Sequence, residues 1–391
     1  IHDGRVGFST TTDMTDGNTV VRNALESAQF GDPVQFRFPG KARLPAPQCF
    51  DPEVELLNEE ALIALGEAIV EEIKAYDPQL DIEVAANREI EEMRLLNTSG
   101  LDFADRRTAV SLYASVGRMQ EGDILFVSAS AASRWRRDLD GVKLARQAIE
   151  RLRWAERGAA VESGAMPVVF SPRGTVVPLL LLAMGLDGRN VHLGASPLCG
   201  KLGQQVFDPA FSLVDDGRRD FAIRSAPCDD EGVPTAEKAL IERGTIRQFL
   251  YDLKTAAQAG AESTGNGFKG GMHGGGFQRP PGIEPSTWIV APGDRSLEQI
   301  LGELDEALLI DAVLGLGQGN TLAGEFSNNV SVGFLVRRGE IVGRVKNTMI
   351  AGNTYDLLKD RLIGVGDHPE WVDGIIYAPA IAVDGVGVAS Q

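Results

Sequence analysis

The chain has 391 residues, 43% hydrophobic and 24% charged, a balance that fits a globular protein of about two domains. Its 38 Lys and Arg stand against 55 Asp and Glu, and the resulting charge of −17 disfavours binding by phosphate neutralisation, so no nucleic-acid partner is expected. Three dispersed cysteines, Cys49, Cys199 and Cys228, fit neither a disulfide framework nor a CxxC knuckle and point to a reducing cytoplasm. The apolar run at 174–185 is about a dozen residues where a bilayer needs roughly 20, so no membrane partner is expected either.

The chain opens at Ile1 with HDGRVGFSTTTD and shows no Met, charged n-region or apolar h-region, so no signal peptide is read. This opening reads as a strand over 5–12 already inside a sheet, as if further residues preceded it, and a short helix follows over 17–28. The Pro-rich stretch 36–52 is a long connection. Asn58 is an N-cap with Glu59 and Glu60 in the first turn, and Leu62, Leu65, Ile69, Ile73 and Tyr76 make one apolar stripe that Asp77-Pro78 stops. Four short strands follow over 82–86, 91–97, 108–116 and 123–130, with turns at 97–100 and 120–123. An amphipathic helix over 140–157 carries Val142, Ala145, Ile149 and Leu152 on one face. Two helices against an antiparallel sheet make an α+β domain over 1–162.

A β-rich domain over 163–391 completes the expected α+β fold. It begins with a buried strand at 167–170 and a helix from Val176 to Ala183 that is apolar all round, with Pro178 inside it and expected to kink it. Strands are expected over 210–214, 221–225, 239–241, 246–251, 287–290, 330–336 and 340–345, with a turn at Arg338-Gly339. A helix capped by Ser296 is expected over 296–307, glycine-rich loops at 265–276 and 315–324, and a glycine-rich tail at the end.

His2, His192, His273 and His368 show no HExxH spacing and read as surface or loop histidines. A nucleophile elbow is missing. GNGFKGGMHGGG lacks the Walker pattern, since Lys269 precedes Gly270, and reads as a flexible loop able to close over a ligand. The carboxylates of Asp215-Asp216 and of Asp229-Asp230-Glu231 read as solvated turns rather than a cation site.

Several phrases together resemble the TldD/PmbA family, once named modulators of DNA gyrase. They are SPLCGKLGQQVFDPAFSLVDDG, DDEGVPTAEKALIERGTIRQFLYDLKTAAQAGAESTGNG and NTLAGEFSNNVSVGFLVRRGEIVGRVKNTMIAGN, supported by GRVGFSTTTD, ALESAQFG and LLNTSG. In that family a zinc-bearing TldD type pairs with a TldE (PmbA) type that lacks the metal. The active subunits of that family place His-Glu, three residues and a second His on the helix after the PVVFSP-like strand, and a Cys far towards the C-terminus completes their zinc site. Here the helix reads VVPLLLLA and no Cys follows Cys228, so the chain resembles the TldE type, with no catalytic residue and no metal ligand of its own. An aliphatic helix supplies neither a Lewis acid nor a base to activate water.

The resemblance implies a peptidase complex acting on unfolded peptides, with zinc in a TldD-type partner subunit. The alternative is self-association as a homodimer that binds peptide or another ligand without protease activity. Either way an extended peptide would pair with a strand edge. Candidates for lining its cavity are Gly265, Asn266, Gly267 and His273, with Asn320, Glu325, Phe326, Ser327, Asn328 and Asn329; read as turns between strands, the same residues need no ligand. Chemistry at His192, Cys199 or His273 is a weaker third reading. The acidic charge lends the gyrase label no support.

Overall fold

The computed structural model describes residues 1–120, 122–270 and 276–390. Helices α1 (Gly17–Ala28), α2 (Pro52–Glu55) and α3 (Glu59–Tyr76) precede strands β1 (Asp81–Leu96), β2 (Asp102–Gln120) and β3 (Asp123–Ser133), and α4 (Gly141–Trp154) follows. Side-chain caps start these helices where the sequence places them: Asp16 accepts from Thr19 N, Asn58 from Ala61 N and Asp140 from Lys143 N. Residues 5–12 are not a strand. They lie on α1, where Gly7 and Gly31 allow backbone contact that a Cβ would block, and Phe8 N donates to Ser27 Oγ instead of to a neighbouring strand.

The meander has three strands, not four. β1 runs unbroken, each residue from Asp81 to Leu96 opposite one from Gly117 to Asp102, because charged residues at 88–92 change its exposure but not its pairing. The inner face, with Val110, Leu112, Ala114, Val116, Leu125 and Val127, packs with α3 and α4.

The remainder holds β4 (Gly164–Phe170), α5 (Val176–Leu186), α6 (Gly188–His192), β5 (Leu213–Asp216), β6 (Glu237–Glu242), β7 (Thr245–Ile246), α7 (Leu253–Ala259), β8 (Gly267–Phe268) and β9 (Gly282–Ile283). Then come β10 (Trp288–Val290), α8 (Leu297–Gly302), β11 (Glu306–Leu314), β12 (Glu325–Arg337), β13 (Glu340–Arg344), β14 (Thr348–Asn353), α9 (Thr354–Asp360), β15 (Leu362–Val365), β16 (Glu370–Val372), β17 (Ile376–Ala378) and β18 (Ile381–Ser390). One sheet has the order β16-β17-β10-β5-β6-β7. In the other, β11, β4, β18, β14 and β12 pair in succession and β12 returns to β11, so the pairings form a closed ring, with β13 and β15 attached.

Both faces of that ring are covered, which explains its near-continuous apolar strands. Val168, Phe170, Leu308 and Ile310 share a core with α5 and the second sheet, whereas Val169, Leu309 and Phe334 pack with α4 and the first sheet. α5 is therefore enclosed, with Val177, Leu179, Leu181, Leu182 and Leu186 at most 2% exposed.

Pro178 does not interrupt α5. It is the third helical residue, and the first α-type bond inside the helix is Leu179 N to Thr175 O, so the N–H that proline lacks had no partner to lose. Residues 221–225 form turns, with Phe221 at φ +59°, and of the expected 246–251 strand only Ile246 pairs in a ladder, together with Thr245 before it. α8 stops at Gly302 and β11 begins at Glu306, so the helix expected to 307 is shorter. The glycine-rich tail is β18, seated between β4 and β14.

Candidate functional site

The β4–α5 corner is tightly specified. Ser171 N donates to Ile310 O at 2.9 Å and Thr175 N to Ser171 O at 3.0 Å, while a Cβ on Gly174 would be driven into the same Ile310 carbonyl. A register shift between Ile310 and Ala312 turns Asp311 out of the ladder. Its buried carboxylate accepts from Arg151 Nε and from Ser171 Oγ, both at 2.8 Å, and faces Arg173 at 3.6 Å. Arg173 in turn donates to Ser128 O and Ser128 Oγ in β3, joining the corner to the first sheet.

At its other end α5 meets α6 at Asp187, whose carboxylate takes the N–H of Arg189 at 2.7 Å. Gly188 N donates to Leu250 O, and Leu250 N to Leu186 O, at 2.8 and 3.0 Å. Beside this corner lies a cleft of about 960 Å³, a volume that suits a ligand. Ala183, Met184, Asp187 and Arg189 form one side, Lys254 and Thr255 of α7 another, and Phe268 with residues 279–285 the third. Lys254 Nζ pairs with Asp32 at 2.5 Å across one rim.

The third side is the stem of the glycine-rich segment, where β8 pairs with β9. The acidic turn at 229–231 holds this stem and is buried, contrary to the solvated turn expected. Asp229, fully buried, accepts from Gly267 N at 2.8 Å and from the N–H groups of Glu231 and Val233. Asp230 accepts from Lys269 N at 2.7 Å, and Glu231 from Leu253 N at 2.7 Å. A Cβ on Gly267 would collide with the Glu231 carboxylate, so glycine is required there. Asp215 is likewise buried, paired with Lys238 at 2.9 Å.

Burial pushes the Asp229 carboxyl up to about 7 and that of Glu231 up to about 8, against 3.8 and 4.5 for the free groups. A folded state that holds protons more tightly than the unfolded one loses stability as pH rises, so this contribution is complete below about pH 4 and is lost through about pH 7–8. Glu231→Gln, neutral at every pH, is therefore expected to match the parent melting temperature near pH 4 and exceed it near pH 9. Thermal melts across that range check this; a variant that falls further behind as pH rises contradicts it.

Among the residues expected to line a cavity, Gly265, Asn266 and Gly267 are buried below the cleft. Asn266 Oδ1 accepts from Lys238 Nζ and Thr264 Oγ1, and its Nδ2 donates to Asp215 and to Glu284 O. His273 lies outside the described residues. Asn320 precedes a 3-10 turn that packs on α5; Glu325, Ser327 and Asn329 point outward from β12, and Phe326 and Asn328 inward. Asn328 Nδ2 is used by Leu314 O and Gly315 O. The structure thus does not bring the two segments together in the cleft. Asp187, Arg189 and Lys254 were not expected there; their sequence signal is the pair of short capped helices at DGRN and DLKT, each opened by an Asp side chain.

The residues at the corner do not fit a zinc ion. α5 presents Val, Pro, Leu, Ala, Met and Gly alone, none of which offers the imidazole, carboxylate or thiolate that holds zinc. Among the described residues no three His, Cys, Asp or Glu side chains are grouped to hold a metal, and no helix is long and apolar enough to cross a membrane.

Residues 163–390 match the PmbA/TldA metallopeptidase C-terminal domain and residues 52–156 the central domain of the same proteins. The chain is 26% identical to an uncharacterized protein of Methanocaldococcus jannaschii, over 93% of this chain and 82% of that protein. It is also 26% identical to a metalloprotease TldD homolog of Haemophilus influenzae, over 86% of this chain and 73% of the relative. The crystal structure of TldE from Thermococcus kodakarensis superposes with a TM-score of 0.89 at 25% identity, covering 100% of this chain and 88% of that one.

Proposed function

The chain belongs to the PmbA/TldD metallopeptidase family, and on that premise we propose that it is the non-catalytic, TldE-like subunit of a cytoplasmic zinc metalloprotease acting on unfolded peptides. The observation that carries this reading is α5. The helix is buried over most of its length, meets the cleft only through Ala183 and Met184, and carries no carboxylate, imidazole or thiol, so the Lewis acid and general base of a metallopeptidase have no donor atoms here and would come from a TldD-type subunit. The likeness to a TldE structure supports the assignment.

A second reading is favoured by the cleft of about 960 Å³, which is formed within one chain: a homodimer that binds peptide without cleaving it. One experiment separates the two. The protein is captured from native lysate, and it is also purified alone and with a TldD-type subunit; zinc and cleavage of an unfolded peptide are then measured. The first reading expects a copurifying paralogue and activity only in the pair, and stoichiometric zinc or turnover by this chain alone overturns it. Peptide binding by a self-associated chain with no copurifying paralogue favours the second.

A further inference from the structure

Away from the cleft, a cavity of about 510 Å³ opens where the end of β3, the start of α4, the 219–222 turn and the β16–β17 hairpin meet. Its walls are aromatic. Trp135 and Phe221 stack with centroids 5.2 Å apart, and Trp371, 37% exposed, lies 5.1 Å from Tyr377. The left-handed φ of Phe221 is one that a bulky side chain adopts only where its surroundings hold it. Here Phe221 N donates to Gln48 O and Phe221 O accepts from Arg134 N, which fixes the ring at the cavity wall.

Arg219 is the polar group at the centre of this arrangement. Its guanidinium carbon sits 4.8 Å from the Tyr377 ring and 5.2 Å from that of Trp371, and among the described residues it has no hydrogen-bond or ion-pair partner. Three carboxylates of the lining are oriented by neutral donors and keep their charge, Asp138 by Ser133 Oγ, Asp140 by Lys143 N and Asp220 by Gln48 N, so Arg219 supplies the cationic edge that an anionic group could reach. Glu370 and Lys143 add one charge of each sign. A guanidinium whose face rests on rings keeps its edge donors in the fork that matches a carboxylate.

We propose that this cavity binds an aromatic α-carboxylate, the chemistry shared by the C-terminal residue of a peptide and a free aromatic amino acid. Arg219 grips the carboxylate, and Trp371 with the Trp135–Phe221 stack receives the ring. The inference rests on this cavity alone and stands whether or not the chain pairs with a peptidase subunit.

Calorimetric titration of the purified chain with N-acetylphenylalanine, its amide, N-acetylalanine and free phenylalanine tests it. The acid is expected to bind, with the amide and the alanine compound weaker by about tenfold or more. Free phenylalanine binding as well as the acetylated acid identifies a free amino acid as the ligand; weaker binding identifies a peptide end. Arg219→Gln should remove the preference for acid over amide, and Trp371→Leu the preference for phenylalanine over alanine, with melting temperatures unchanged. Equal binding of acid and amide, no binding of the acid, or a folded Arg219→Gln that keeps the preference overturns the proposal. If a variant fails to fold, the acid and amide titrations of the parent protein decide.

Discussion

Asp311→Ala is expected to cost about 3–5 kcal/mol in a urea unfolding curve, because it leaves the Arg151 guanidinium buried without its counter-charge. Arg151 is 10% exposed at its side chain and Asp311 3%, so solvent cannot replace the lost carboxylate. Ser171 Oγ loses its acceptor and Arg173 its nearest acidic neighbour in the same step. Replacing both members of the pair, as in Asp311→Leu with Arg151→Met, should recover a large part of the loss, since a matched apolar pair is often as stable as a buried ion pair. A single-variant cost under about 1 kcal/mol would show that the contact does not hold the corner.

Gly174→Ala is expected to be nearly as damaging, at about 3 kcal/mol, or to prevent accumulation of folded protein. The new methyl would enter the Ile310 carbonyl, which belongs to the backbone and is held in place by Ser171 N, so no side-chain rotation relieves the clash. Gly302→Ala is the matching control. Its Cβ meets nothing within 4 Å and its φ is not left-handed, so the same chemical change should be neutral or stabilising by up to about 1 kcal/mol. Paired thermal melts of the two variants measure the difference; equal values would mean that the corner yields more readily than its contacts imply.

The helices were legible where local chemistry decides them. Asp16, Asn58, Asp140 and Ser296 each open a helix where expected, and Ser296 forms a full capping box with Gln299. What could not be read depends on partners remote in sequence. Residues 5–12 have the composition of a strand but lie against a helix, and β18 reads only as a glycine-rich tail because its glycines say nothing of the two strands that flank it. Residues 87–90 look like a break in a strand, yet β2 pairs straight through them.

The candidate site followed the same division. The blank helix was visible, since a missing donor is a property of the sequence itself. The cleft was not, because it joins residues near 187, 254 and 282 that no local pattern relates. The acidic turn was misjudged for the same reason: adjacent carboxylates look solvated until the N–H groups of Gly267, Lys269 and Leu253 are brought to them.

The closed ring of strands also sets an order of events during synthesis. β18 supplies the strand between β4 and β14, so until residues 381–390 leave the ribosome the ring has a gap, and β4, whose residues were made more than 200 positions earlier, waits with one edge open. Nascent chains halted before that point should bind holdase chaperones, and release should coincide with emergence of β18.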